Sequence, residues 1–379
     1  MSIMKKIGTI TLHASYNFGS VLQAYALQEF VKQLDNDIDY EIINLRTQTQ
    51  KNMYLSFFEQ ENLPLKSKIY KFLLRKYRED YTTRQLRYEN FINKYLNITK
   101  EFSSMNEIQN HANNYDFYIA GSDQIWNYNA LLEDFDWSYL LSFTNSKNKI
   151  SYSASMGPIK QNENKKLRSK FISELEKFKY VSVRDQATKA YIEKFSDIRP
   201  QVHIDPTMLL TKKEWENLCS PKKRIIQDEY ILLYQFWNIE SIKIAKKLSK
   251  LLNLKVVVPK FPLKQEWYNG FKCLFDVGPK EFLNLVSNAK YIVGSSFHAC
   301  VFSIIFEKEF FAVNAKNDFR IQTLLDTFNL HHCTIEEKDI NKQYDFKYKI
   351  DYNKVNKILN KKRKESEKYL RNAMELNNN

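Results

Sequence analysis

The chain has 379 residues, 43% of them hydrophobic and 15% aromatic, with only 7 Gly and 8 Pro. This excludes a low-complexity or linker-built protein and leaves room for two domains with sizeable cores. A formal net charge of +14 suits an anionic partner, whether a phosphorylated substrate, an acidic membrane face or nucleic acid.

Three further features narrow the class. No nucleic-acid module signature is present, so nucleic acid is not an expected partner. No window of about 18 consecutive apolar residues predicts a membrane span. The start, Met1 to Lys6, runs straight into a predicted strand without the apolar stretch of a signal peptide, so a cytoplasmic location is expected. Cys219, Cys273, Cys300 and Cys333 are scattered without metal-ligand spacing. Reduced thiols, and neither a metal nor a cofactor, are expected.

In chain order the pattern switches repeatedly between strand and helix periods. Ile7–Leu12 reads as a strand, Val21–Leu34 as a helix and Tyr40–Asn44 as a strand. Residues from about 46 to 100 are charged, aromatic and helical, and read as an insertion. Between Lys66 and Lys94 basic residues alternate with aromatics, including Arg75, Lys76, Tyr77, Arg78, Arg84, Arg87 and Tyr88. Such a basic amphipathic helix can lie on an anionic membrane or pack on its parent domain with a solvated basic face. Strands at Asp116–Ala120 and Lys149–Ala154 follow, then helix Asn162–Phe178, strand Tyr180–Val183, helix Gln186–Phe195 and strand Gln201–Ile204.

A second series follows the charged stretch Thr211–Gln227. It alternates strand Glu229–Phe236, helix Ile239–Leu252, strand Lys255–Pro259, helix Pro279–Asn288, strand Tyr291–Val293, helix Phe297–Phe306, strand Phe310–Val313 and helix Phe319–Phe328. Tyr352–Leu376 reads as one long charged helix. The expected class is therefore α/β, with two Rossmann-like domains whose parallel sheets face a cleft. The expected divisions are an N-terminal domain over 1–210 carrying the helical basic insertion at about 46–100, a linker over 211–228, a C-terminal domain over 229–350, and a C-terminal helix over 351–379.

Four strand–turn–helix junctions carry polar residues where an open parallel sheet binds ligands. After the first strand, Asn17 can cap a helix, and Gly19 and Ser20 open it, giving either an anion site or a capped turn. The full G-x-G-x-x-G fingerprint is missing, so a dinucleotide is not expected. After Ile119-Ala120 come Gly121, Ser122, Asp123 and Gln124, then Trp126, which could hold sugar hydroxyls around an Asp123 base or form a cap beside a core Trp. Asp134, Asp136 and Trp137 could extend a sugar surface. After Val181-Ser-Val183, Arg184 could grip a carboxylate or phosphate bidentately, or pair with Asp185. Asp205 before Pro206 reads as a structural turn.

The fourth junction is Tyr291-Ile-Val-Gly-Ser-Ser-Phe-His298. Ser295 and Ser296 precede a helix whose second residue is a titratable imidazole. A helix start there favours anions, although a capping Ser before a buried His is the plainer alternative. Cys300 lies two residues on and so points to another face. Arg320, opening a later helix, could reach the same cleft. There is no metal triad, no Walker loop and no G-x-S-x-G elbow. The assembly favours transfer from an anionic small donor over hydrolysis.

Asn17-Phe-Gly-Ser-Val-Leu-Gln-Ala-Tyr-Ala-Leu-Gln28, Gly121-Ser-Asp-Gln-Ile-Trp-Asn127, Ser182-Val-Arg-Asp185, Asp205-Pro-Thr-Met-Leu-Leu210 and Ser296-Phe-His-Ala299 with Phe302-Ser-Ile-Ile-Phe306 occur in this order. Together they resemble the polysaccharide pyruvyl transferase family, over about residues 5 to 330. The resemblance implies a two-domain fold like that of GT-B glycosyltransferases, and transfer of pyruvate from phosphoenolpyruvate to two sugar hydroxyls as a cyclic ketal, with no metal or cofactor. It implies acid/base work for His298. Acceptors would be polysaccharides or lipid-linked oligosaccharides at the cytoplasmic membrane face. Many members carry an Arg two residues before the His, where this chain has Ser296; Arg320, Arg184 or a Lys could compensate. Two rival readings are a GT-B glycosyltransferase using a nucleotide sugar and a non-catalytic sugar-binding protein.

Overall fold

The protein is described from a computed structural model over residues 4–54, 72, 75–111, 114–127, 135–159, 164–219, 221–234, 238–259, 269–336, 338 and 349–376, with backbone alone at 52–54. It divides into two compact units. The first comprises residues 1–51, 92–210 and 358–379; the second comprises 52–91 and 211–357. The insertion expected inside the first domain is thus split, its middle part belonging to the second unit.

The first series of elements is β1 (Lys5–Ile10), α1 (Phe18–Leu34), β2 (Ile38–Ile42), α2 (Gln48–Tyr54), α3 (Arg78–Tyr95), α4 (Met105–His111), β3 (Phe117–Ala120), β4 (Lys149–Ser151), α5 (Lys165–Leu175), β5 (Ser182–Val183), α6 (Gln186–Phe195) and β6 (Gln201–Val202). Strands pair in the order β2-β1-β3-β4, and all three pairings are parallel. Parallel bridges Ile150–Tyr180 and Ala154–Val183 carry the pairing on to the parallel pair β5-β6. All four β3 residues are buried, as expected where helices cover both faces of a parallel sheet. The order reverses between β1 and β3: α1 leads from β1 outward to β2, and the chain then crosses back to β3. Ligands bind at such a switch point, beyond the carboxyl ends of the two strands.

The second series is α7 (Lys212–Leu218), β7 (Tyr230–Tyr234), α8 (Ile239–Leu252), β8 (Lys255–Val258), β9 (Lys272–Cys273), α9 (Pro279–Asn288), β10 (Tyr291–Gly294), α10 (Phe297–Ile305), β11 (Glu309–Val313), α11 (Phe319–Phe328), β12 (Thr334–Ile335) and α12 (Tyr352–Ala373). Its sheet runs β12-β11-β10-β7-β8-β9, all parallel, with the switch point between β7 and β10. Ile231, Leu233, Val256, Val258, Val293 and Val313 face Ile242, Ala245 and Leu248 of α8 in one buried cluster. Residues 235–237, at the expected end of the strand that became β7, lie outside the described residues.

The stretch 211–228, expected as a linker, opens with α7. Thr211 and Glu214 form a reciprocal capping box, and Trp215 is fully buried against Phe302, ring centroids 5.6 Å apart. The long C-terminal helix is present. Within the first unit, Arg363 donates to the Met208 and Leu210 carbonyls, each at 2.7 Å. The Tyr369 hydroxyl donates to the Ser151 carbonyl at 2.8 Å.

Candidate active site

In the first unit the switch point is lined by the turns after β1 and β3. Gly121 has φ +133°, and a Cβ there would collide with the Tyr152 carbonyl, so the close approach of β3's end to the neighbouring backbone requires glycine. Ser122 is sealed in. Its hydroxyl donates to Ser153 O, its N–H donates to Gln23 Oε1 at 3.2 Å, and its carbonyl accepts from Thr11 Oγ1 at 3.1 Å. Gln23 also donates to Thr11 Oγ1 at 2.8 Å, which locks α1 to the end of β1. His13 is held in the same region, its Nε2 2.8 Å from Asn44 Oδ1.

Asp123 stands at the centre with φ 72°, a left-handed conformation that costs a non-glycine residue about 1–3 kcal/mol and clusters at functional positions. Ser20 Oγ, from the first turn of α1, donates to Asp123 Oδ2 at 2.5 Å. The Gln124 N–H donates to Oδ1 at 2.8 Å, and Arg184 Nη2 donates to the same oxygen at 3.3 Å. Arg184 Nη1 donates to Asp205 Oδ2 at 2.8 Å. The other oxygen of Asp205 accepts from the N–H and the hydroxyl of Thr207, at 3.0 and 2.7 Å.

The Arg184 side chain is only 1% exposed, set between two carboxylates. It does not reach the sheet mouth as a free grip for donor. Burial opposes its charge, but Asp123 and Asp205 outweigh it and hold the guanidinium protonated, above its ordinary value. One guanidinium between two carboxylates leaves this cluster one formal negative charge in excess. Asp185 adds a third carboxylate, capping α6 and accepting from Ser155 Oγ at 2.7 Å.

The remaining first-unit candidates have protein partners. Asn17 caps α1 through Gly19 N–H at 2.9 Å. Gln124 Oε1 accepts from Asn127 at 2.8 Å. Trp126 is core, with no exposure and its Nε1–H on Tyr139 O at 3.0 Å. Asp136 caps a single 3-10 turn, and Lys170 covers the Trp137 ring at 4.0 Å. Asp134 lies outside the described residues.

In the second unit β10 ends at Gly294, where a Cβ would collide with Ala299 Cβ. That closeness lets α10 start immediately after the strand. Ser296 caps it, its Oγ accepting from Ala299 N–H at 3.2 Å. His298 sits in the first turn, 9% exposed, its ring 5.3 Å from Phe297 and 6.5 Å from Phe302. The Ser295 hydroxyl is buried and meets no hydrogen-bond partner among the described residues. Buried hydroxyls are normally satisfied. Burial pushes the Cys300 thiol far above its usual range, with Asp318 adding to the effect; it is no thiolate nucleophile.

Arg320, in the first turn of α11, grips Asp318 bidentately at 2.9 and 2.5 Å. Burial would raise the Asp318 carboxyl, but Arg320 and helix amides hold it below the usual range. Asp123, Ser20 and His298 all lie at strand ends or helix starts, as the sequence pattern placed them, whereas the ion pairing of Asp205 and the locking role of Gln23 were not visible in it. Only the adjacency of Asp205 to a turn was visible.

Two parallel sheets, each with a polar switch point, define an α/β enzyme of the GT-B type. A crystal structure of UDP-N-acetylglucosamine 2-epimerase matches with TM-score 0.50 and 11% identity over 95% of this chain and 91% of that one. The UDP-GlcNAc 2-epimerase of Methanocaldococcus jannaschii (TM-score 0.44, 12% identity, 94% and 92% covered) and the E. coli heptosyltransferase WaaC with ADP (0.38, 11%, 81% and 86%) are more distant in shape. No curated protein matches the sequence. The family model for polysaccharide pyruvyl transferase matches residues 17–317 of the 379, and the chain belongs to that family of enzymes.

Proposed function

We propose that the enzyme takes pyruvate from phosphoenolpyruvate and joins it to two hydroxyls of a sugar as a cyclic ketal. The observation that carries this reading is the end of β10, where a helix begins with His298 in its first turn and the Ser295 hydroxyl, just before the cap, meets no hydrogen-bond partner among the described residues. A helix start presents amide donors and the positive end of its dipole to an anion, and the donor carries a carboxylate and a phosphate. His298 protonates the methylene carbon, which makes the central carbon electrophilic. A sugar hydroxyl attacks that carbon and gives up its proton. The C–O bond to phosphate breaks with its electron pair leaving on phosphate. A second hydroxyl closes the ketal, and its proton leaves with phosphate. The balance is one donor plus two hydroxyls giving one ketal plus phosphate, with no co-reactant.

Asp123 is assigned, in the same reading, as a base or a ligand for acceptor hydroxyls. The excess negative charge around it disfavours a trianionic donor and suits a neutral, hydroxyl-rich acceptor. Ser296 leaves the place two before the His without its usual Arg. Arg320 is the cation carried by the same unit as His298, and Arg184, tied to two carboxylates, is removed from donor binding in this reading.

A lipid-linked acceptor on the cytoplasmic membrane face suits the basic segment before α3. Arg75, Lys76 and Arg78 are exposed there, as is Phe72 with Arg75 over its ring at 4.4 Å; Lys66, Lys68 and Lys71 lie outside the described residues. No helix among the described residues is long and apolar enough to cross a membrane. Replacing Arg75, Lys76 and Arg78 by Glu should abolish flotation with anionic liposomes, and unchanged flotation would remove the membrane part.

The test of the reaction is incubation with phosphoenolpyruvate and galactose-, mannose- and glucose-containing acceptors, following phosphate release and acceptor mass. A mass gain of one pyruvate ketal that disappears in His298→Ala supports the proposal. Stabilisation by UDP or GDP in place of any gain would favour a nucleotide-sugar glycosyltransferase.

A further inference from the structure

Four separate chain segments converge on Asp123, and the outermost member, Asp205, is linked to it through Arg184. We infer that Asp205 is a positioning residue that keeps Asp123 basic by taking the larger share of the Arg184 charge. The inference rests on the proposed role of Asp123 as base. A lone Arg beside a carboxylate lowers its proton affinity, typically by 1–3 pH units, and so weakens it as a base. Here the guanidinium lies closer to Asp205 than to Asp123, 2.8 against 3.3 Å. Asp205 is itself fixed by the Thr207 N–H and hydroxyl, and its side chain is fully buried. Removing its charge would leave the guanidinium unshared and remove a negative neighbour, and both effects make Asp123 hold its proton less well.

Asp185 is engaged by Ser155 and Thr188 N–H. Ser20, from α1, carries no charge. His13, beyond Thr11, is tied to Asn44.

Asp205→Asn and Asp205→Ser both remove the charge, and the Ser variant also keeps a cap acceptor for the turn at Pro206–Met208. Circular dichroism and Tm establish that each is folded. In both, the acid limb of the pH–rate profile should move down by about one pH unit, with plateau kcat falling about tenfold and KM for phosphoenolpyruvate unchanged. Asp205→Glu should restore the profile. In an Asp123→Asn background the Asp205 substitutions should have no further effect on rate, because residues acting as one unit are not additive. Independently of turnover, the 13C carboxyl signal of Asp123 should titrate at lower pH in both variants. Folded variants with an unchanged rate profile and an unchanged titration would overturn the inference. If the wild type transfers no pyruvate, the proposed function fails, and the 13C titration alone then decides whether Asp205 controls Asp123.

Discussion

At the end of β3 a carboxylate is held by the next residue's amide and by a hydroxyl and a guanidinium drawn from distant segments. At the end of β10 an imidazole stands beside two phenyl rings, and a buried serine hydroxyl three residues earlier meets no protein partner among the described residues. The same topology therefore makes two unlike sites. The first is saturated with hydrogen bonds and negative in sum, which suits fixing a base against a neutral hydroxyl. The second keeps unspent donor capacity at a helix start, which suits an anion. The sheet sets where a ligand can sit, and the turn residues set which charge it can carry.

That contrast can be broken most sharply at the two ionisable groups. His298→Ala should lower kcat for ketal formation by about 10³-fold, and Asp123→Asn by about 10²-fold. The two should then part in binding, because the Asn variant should keep its affinity for phosphoenolpyruvate while the Ala variant weakens it. Calorimetric titration with the donor checks this, and equal weakening in both would erase the distinction. Next in size, Ser295→Ala should raise KM for phosphoenolpyruvate about tenfold with little change in Tm, since a hydrogen bond to a charged group contributes about 1.5–3 kcal/mol. An unchanged KM would mean that the hydroxyl faces no donor.

A smaller effect sets the pH range in which the comparison can be read. His203 is buried, its Nδ1 2.9 Å from Ser182 Oγ and its ring stacked near Tyr152 and Tyr369. Burial pushes its pKa down from 6.5 to about 4; nearby Glu365 opposes this and Lys362 adds to it. Above pH 6.5 the ring is neutral both folded and unfolded, and nothing is lost. As pH falls from 6.5 towards 4, the unfolded chain takes the proton first, and the fold loses up to about 3 kcal/mol. Urea unfolding across that range should show the loss, and His203→Gln should flatten it. A slope unchanged in the variant would assign the acid sensitivity elsewhere.

Much of the architecture was legible because it rests on local periodicity. Strand, polar turn and helix follow one another within a dozen residues at Asn17, Arg184 and Ser296, while after Gly121 the described residues form a turn and no α-helix. What the sequence hid was pairing. Ser20 and Asp123 are 103 residues apart, and Arg184 lies 61 residues from one carboxylate partner and 21 from the other. An arginine at a strand end reads as a ligand grip until its partners are known. Helix α7 was masked because charged residues surround its two buried ones, Trp215 and Leu218. Strands β9 and β12 are two residues each, too short to display a period.

The first unit is assembled from three stretches, and the third, 358–379, is translated after all of the second unit. Tyr369 closes the wall over Tyr152 and His203, and Lys5 Nζ reaches the Met374 carbonyl at 3.1 Å. During synthesis, every described strand of the second unit is therefore made while the first still lacks a wall. A nascent chain arrested just before residue 358 should expose the Tyr152 surface to proteases and chaperones. The order of synthesis runs against the order of the sheets: the half that begins the chain is the last to close.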